Sequence, residues 1–177
     1  MKDLVLKGKT IVFIDWANVY GWRNVLREEF NLGFFPNLRV KYPNIESLRL
    51  YFGEDTTTGS RNFIQSAHNL GLTIITKPVK YINIGSGKNP VYRRKCDMDL
   101  EIALDAISYI DKYKTFVFFS GDGDFKTLYE RILADRDKKV VVVSASKRIG
   151  GELFTLKKRL GIFLLKRSPQ ELLQERG

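Results

Sequence analysis

The sequence predicts an α/β protein with a mostly parallel sheet of five to six strands and helices on both faces. Two observations carry this. Short apolar, β-branched or aromatic runs alternate along the chain with helix-period patterns, the order that joins parallel strands through crossover helices. The length, 177 residues with 44% hydrophobic content, suits one domain with a proper core.

Residues 10–14 form the first strand, ending at Asp15, and 17–30 read as a helix. Residues 31–44 hold Gly33, Pro36 and Pro43 and are expected to be mostly loop. A second strand spans 47–52, a helix 61–70 stops at Gly71, and a third strand spans 72–77. Residues 81–95, with Gly85, Gly87 and Pro90, read as a long loop or loose hairpin, and 97–109 as a helix. Strand four is 115–119, followed by a helix at 125–133 and strand five at 139–143. A helix at 151–160 and a last strand at 162–165 complete the core, and Ser168-Pro169 starts a short tail helix, 168–176, with Ser at the cap and Pro in the first turn. The expected strand order is 3-2-1-4-5, and the whole chain, 1–177, is read as one domain.

Composition narrows the function classes. Thirty Lys and Arg against twenty Asp and Glu give a net charge of +10, which favours polyanionic partners, nucleic acid first among them. A single cysteine, Cys96, excludes a disulfide framework or Cys-rich zinc site and fits a reducing, cytoplasmic location. No apolar run is long enough for a membrane span, and no signal peptide is expected after Met1-Lys2-Asp3.

In open parallel sheets, ligands bind beyond the carboxyl ends of the strands where strand order reverses. With strands one and four adjacent, Asp15, Asp122 and Asp124 converge there. Asp also caps helices, so Asp15 and Asp124 each have a structural alternative. On the helical wheel from Asp97, residues Ile102, Ala103, Ala106, Ile107 and Ile110 form one apolar arc, and Asp99 projects into it. Asp97, Glu101 and Asp105 fall opposite, as a solvated charged face. An inward carboxylate costs several kcal/mol unless paired or bound to metal. Four clustered aspartates, Asp15, Asp99, Asp122 and Asp124, with no His or Cys, suit Mg²⁺ or Mn²⁺. The lone histidine, His68, reads as a surface residue at a helix end.

Phe13-Ile14-Asp15-Trp16-Ala17-Asn18, Lys95-Cys96-Asp97-Met98-Asp99 with Asp105 further on, and Phe119-Ser120-Gly121-Asp122-Gly123-Asp124-Phe125 resemble the three motifs of the NYN domain, LabA-like branch, within the PIN-like nuclease superfamily. The resemblance runs over residues 9–166. It implies a Rossmann-like sheet and metal-dependent RNA cleavage at a site matching Asp15, Asn18, Asp99, Asp122 and Asp124. It also allows a homodimer. Three departures stand out: Trp16 for a usual Gly, Cys96-Asp97-Met98 for a shorter Gly-containing link, and Gly123 for a common Ser.

Basic and aromatic residues flank these motifs. Tyr92, Arg93, Arg94 and Lys95 lead into the Asp99 helix, with Lys77, Lys80, Tyr81 and Lys88 upstream. Such residues neutralise phosphates and stack on unpaired bases, so single-stranded RNA is the expected partner, with Trp16 as a further stacking platform. The segment Gly85-Ser86-Gly87-Lys88 fails the P-loop pattern at Ile82 and Asn89. Asp122-Gly123-Asp124 comes too late in the chain for a haloacid-dehalogenase phosphatase, and a Toprim fold needs an early Glu where Asp15 stands. A ribonuclease is therefore the first reading. An RNA-binding regulatory module without turnover and a small-molecule phosphatase are the alternatives, and the net charge favours a polynucleotide over a small substrate.

Overall fold

The structure is a computed structural model, and it describes residues 3–85 and 90–174. Ser86, Gly87 and Lys88 lie outside the described residues, as does the end of the predicted tail helix.

Six strands form one parallel sheet. They are β1 (Thr10–Asp15), β2 (Ile45–Glu54), β3 (Thr73–Pro78), β6 (Thr115–Phe119), β7 (Lys139–Ala145) and β8 (Gly161–Leu165), in the spatial order β3-β2-β1-β6-β7-β8. The predicted order 3-2-1-4-5 differs from this in detail. A separate antiparallel hairpin, β4 (Lys80–Asn83) with β5 (Tyr92–Lys95), takes the fourth and fifth places in the chain, and β8 adds a sixth strand at the edge.

β1 and β6 are buried along their whole length, as central strands of a parallel sheet must be, and this explains their unbroken apolar runs. One face of the sheet, with Val12, Ile14, Val117 and Phe119, packs under α1 (Trp16–Gly21), α2 (Phe34–Lys41) and α3 (Thr58–Asn69). The other, with Ile11, Phe13, Phe116 and Phe118, packs under α4 (Asp99–Ser108) and α5 (Lys126–Leu133). Helices therefore cover both faces, and among the described residues none is long and apolar enough to cross a membrane.

Several boundaries differ from the sequence reading. The helix expected over 17–30 ends at Gly21 and passes through a 3-10 turn, Trp22–Asn24, after which the Arg27 N–H turns away to the Arg167 carbonyl at 2.8 Å. The stretch read as loop contains α2. Pro36 sits in its first turn, where the missing N–H removes no helical bond, and Phe34, Phe35 and Leu38 drive its burial. The segment 151–160 carries a 3-10 turn, Gly151–Leu156, rather than an α-helix. The tail is likewise a 3-10 turn, Pro169–Leu172, closed by a capping box between Ser168 and Glu171. On α4 the apolar arc is narrower than expected. Ile102 and Ala106 are buried, but Ile107 faces outward with Leu100 and Leu104.

Candidate metal centre and nucleic-acid interface

β1 and β6 lie side by side with their connections leaving in opposite directions, so the crevice beyond their carboxyl ends is the switch point. Asp15, the last residue of β1, caps α1. Its Oδ1 accepts the Asn18 N–H at 3.2 Å and its Oδ2 the Ser120 hydroxyl at 3.1 Å. Asn18 Oδ1 accepts from the Gly121 N–H at 3.1 Å and the Trp22 indole N–H at 2.8 Å, which ties α1 to the loop after β6. In that loop the Asp122 N–H donates to Ser120 Oγ at 3.3 Å, and Asp122 caps the 3-10 turn Gly123–Phe125 by accepting the Asp124 N–H at 3.0 Å.

The loop is locked against the chain after β7. Gly150 N–H donates to Gly121 O at 2.7 Å, and a Cβ on Gly121 would lie 1.9 Å from the Arg148 carbonyl oxygen. A Cβ on Gly123 would lie 2.3 Å from Glu152 Oε2.

The third acidic segment comes from α4. Asp99 is its first residue, and Asp97 Oδ1 accepts the Asp99 N–H at 3.0 Å. Asp97 and Asp99 both line the crevice; Asp97 holds the first N–H of α4, and Asp99 is the one grouped with the acids of the loop after β6. Carboxylate oxygens of Asp99, Asp122 and Asp124 all lie within 4.8 Å of one another, and Asp15 lines the same crevice. Burial, then the charges of Asp97, Asp122 and Asp15, raise the Asp99 carboxyl to about 7. Burial also raises Asp15, against the stabilising Asn18 N–H and Ser120 hydroxyl, and the Asp122 charge pushes the same way.

Below them the hydroxyl of fully buried Tyr129 has no hydrogen-bond partner among the described residues, and the charges of Asp15, Asp122 and Asp99 act on it. A half-buried, self-repelling set of carboxylate oxygens fits a hard divalent cation such as Mg²⁺ or Mn²⁺. The nearby Cys96 thiol is pushed up by burial, away from the thiolate a soft metal would need.

The hairpin stands beside the acids. Cross-strand pairing puts Lys80 with Lys95 and Ile82 with Arg93 on one face, and Tyr81 with Arg94 and Asn83 with Tyr92 on the other. Ile82, Arg93, Arg94 and Lys95 line the acidic crevice. Arg94 also donates to Gly53 O at 3.0 Å, and the Tyr81 hydroxyl bonds Asp55. Lys80 and Tyr92 are exposed along the ribbon. Lys77 is committed within the protein, to Glu101 at 2.7 Å and the Asp97 carbonyl at 3.0 Å. Trp16 rests on Phe63 at 4.9 Å and faces an adjoining cleft rather than the acids.

The face of α4 opposite Asp99 is not simply solvated. Glu101 pairs with Lys77, and Asp105 pairs with Arg49 at 2.6 Å and accepts the Tyr51 hydroxyl at 2.6 Å, because β2 and β3 lie beside this helix face. Burial and the bond to Asp105 push the Tyr51 phenol up.

Sequence reasoning missed Arg148 and Glu152. They line a groove of about 580 Å³ that continues from Asn18, Asp122 and Asp124 on the side away from the hairpin. Lys147-Arg148 directly follows β7, so reading the ends of every strand near the switch point would have found it.

Comparison with known proteins agrees with this fold. The NYN domain family matches residues 9–157. The low amplitude and bright protein LabA of Synechococcus elongatus is 31% identical over 153 residues, covering 82% of this chain and 78% of LabA. A crystal structure of a protein of unknown function from Vibrio parahaemolyticus superposes with a TM-score of 0.69 at 27% identity, covering 92% of this chain and 95% of that one.

Proposed function

The chain belongs to the NYN domain family, and from that membership we propose that it is a metal-dependent ribonuclease receiving single-stranded RNA in the crevice between β1 and β6. One observation carries the reading: carboxylates from two separate segments, Asp99 and the Asp122–Asp124 loop, converge within 4.8 Å beside a basic ribbon. Such a constellation is unfavourable without a cation, and the cap that Asp122 provides does not require Asp99 or Asp124 beside it.

Asp99, Asp122 and Asp124, with Asp15 beside them, would hold Mg²⁺ or Mn²⁺. Bound there, the ion supplies charge neutralisation for a phosphate and acidifies a water. The protein's own groups do the rest. Asp15 is kept oriented by the Asn18 N–H and the Ser120 hydroxyl. Asn18 acts by position: with its carbonyl oxygen committed to Gly121 and Trp22, it fixes the loop that carries Asp122. Arg93, Arg94 and Lys95 neutralise phosphates on the hairpin side, and Arg148 does so where the groove continues on the other. Lys80 and Tyr92 extend the contact along the ribbon, while Lys77 secures its root. Trp16 offers an aromatic face next to the crevice.

The test is to incubate mixed single-stranded RNA with the purified protein in Mn²⁺, Mg²⁺ or chelator, alongside Asp122→Asn. Cleavage that needs metal and disappears in the variant supports the reading, and cleavage that survives chelator or Asp122→Asn refutes it. RNA binding without cleavage in either metal would make the chain an RNA-binding regulatory module. Hydrolysis confined to small phosphate esters would make it a phosphatase.

A further inference from the structure

The acidic crevice has a neighbour of opposite character. A cleft of about 380 Å³ adjoins it, and the two share Ala17, Arg94, Cys96 and Met98 as a common wall. The volume is at the small end of the roughly 300–1,000 Å³ range of ligand clefts. No acid lines it; its sides are Trp16, Tyr20 and Phe52. These rings are held in place before any ligand arrives. Trp16 rests on Phe63 at 4.9 Å, Phe63 on Phe52 at 4.4 Å, and the Arg23 guanidinium lies 3.8 Å over the Tyr20 ring. Arg94 spans the wall between the clefts. One of its nitrogens is fixed on Gly53 O, and its other N–H groups make no hydrogen bond among the described residues.

A nucleotide has the same two-part character: a charged phosphate and, one sugar away, a flat ring with apolar faces and polar edges. We propose that this cleft takes one unpaired nucleobase of the RNA strand, flanking the phosphate received by the aspartates, with Trp16 and Tyr20 as stacking faces and Arg94 bridging base edge and phosphate. The proposal rests on the ribonuclease reading and deepens it. Cleavage would then require a base that can leave its stack, so a duplex would be a poor substrate for a geometric reason and not for lack of charge attraction.

The experiment uses a short oligoribonucleotide with 2-aminopurine at one internal position, and the same strand with an abasic residue there, both titrated into the protein in chelator so that no cleavage is read. Binding should quench the fluorescence of the single-stranded 2-aminopurine oligonucleotide, and protein added to the annealed duplex should produce no change, since there the base stays in its stack. The abasic strand should bind about tenfold more weakly. Trp16→Ala should weaken the intact strand by a similar factor while barely changing the abasic one, since the two losses remove one contact. Because Trp16 is partly buried on Phe63, Tyr20→Ala, at a half-exposed position, is the second variant, with folding checked by circular dichroism.

Equal affinity for the intact and abasic strands, or unchanged base discrimination in both folded variants, overturns the proposal even if metal-dependent cleavage stands. Base discrimination and quenching that are lost in the aromatic variants sustain it even in a preparation with no cleavage. That separates its failure from that of the ribonuclease reading.

Discussion

Helix α4 carries two aspartates into two half-buried polar clusters, and they are handled in opposite ways. Asp105 is fully compensated: Arg49 approaches it at 2.6 Å, Tyr51 donates at 2.6 Å, and the same guanidinium bonds the Tyr109 hydroxyl at 3.3 Å. Asp99, six residues earlier, meets Asp122 and Asp124 and pairs with no cation among the described residues, and its carboxyl is raised to about 7. A cluster with balanced charge is stabilised by its own members. One with unbalanced charge costs stability and persists where something else is to be bound. On the proposed function, the contrast separates acids that hold the fold from acids set aside for a ligand, and it can be tested directly.

The largest expected difference is in cleavage. Asp99→Asn or Asp122→Asn should lower metal-dependent RNA cleavage by roughly 100-fold or more. Asp105→Ala should leave the rate per folded molecule unchanged, measured on one RNA at one metal concentration. Metal-linked stability comes next. In wild type and Asp105→Ala, Mn²⁺ or Mg²⁺ at a hundred times its dissociation constant should add about 2.7 kcal/mol, seen as a rise in melting temperature, while Asp99→Asn should show little shift. If all three respond alike, the cation binds elsewhere.

Without ligand the ranking reverses. Asp105→Ala should cost about 2 kcal/mol by urea unfolding, because Arg49 is left partly buried without its partner. Asp99→Asn should cost nothing or add stability, since it relieves repulsion.

A smaller effect is expected with pH in chelator. The folded Asp99 carboxyl titrates at about 7, above its ordinary 3.8, so the native state binds the extra proton. Its contribution to stability is complete below about pH 4 and is lost as pH rises through about 7. Melting temperature should therefore fall over that window in wild type and fall less in Asp99→Asn, and an equal decline in both would detach the effect from this residue. The smallest effect is at Asp97, where losing the bond to the first N–H of α4 should cost about 1 kcal/mol. Asp97→Asn should keep most of the cleavage; a dead but folded variant would move the site one half-turn along the chain.

How much of this was legible depended on distance in sequence. Alternating strands and helices are written locally, so the sheet, its parallel sense and the aspartates at the ends of β1 and β6 were readable. The helical wheel points Asp99 inward, and in the structure it is half-buried between the buried Met98 and Ile102, at the crevice that Asp97 also lines. Helix α2 was lost because Pro36 signals a break unless one knows it stands in a first turn. The Asp105–Arg49 pair spans 56 positions, and nothing in either neighbourhood announces it. The cleft beside Trp16 is assembled from α1, β2 and the hairpin, so its walls exist only once the chain has folded. Arg148 differs from these, since its place just after β7 is written in the local sequence.

The two glycines of the Asp122 loop set different rules for how the chain can diverge. At position 121 any side chain meets a backbone oxygen of Arg148, which no rotamer change can move aside, so that position has no viable alternative spelling. At position 123 the obstacle is the free end of Glu152, a side chain that can swing away or be shortened. Gly123→Ser is then expected to be tolerated with Glu152 turned aside, while Gly121→Ser is expected to destabilise the loop. Urea unfolding of the two serine variants would show the one at 123 near wild-type stability and the one at 121 strained.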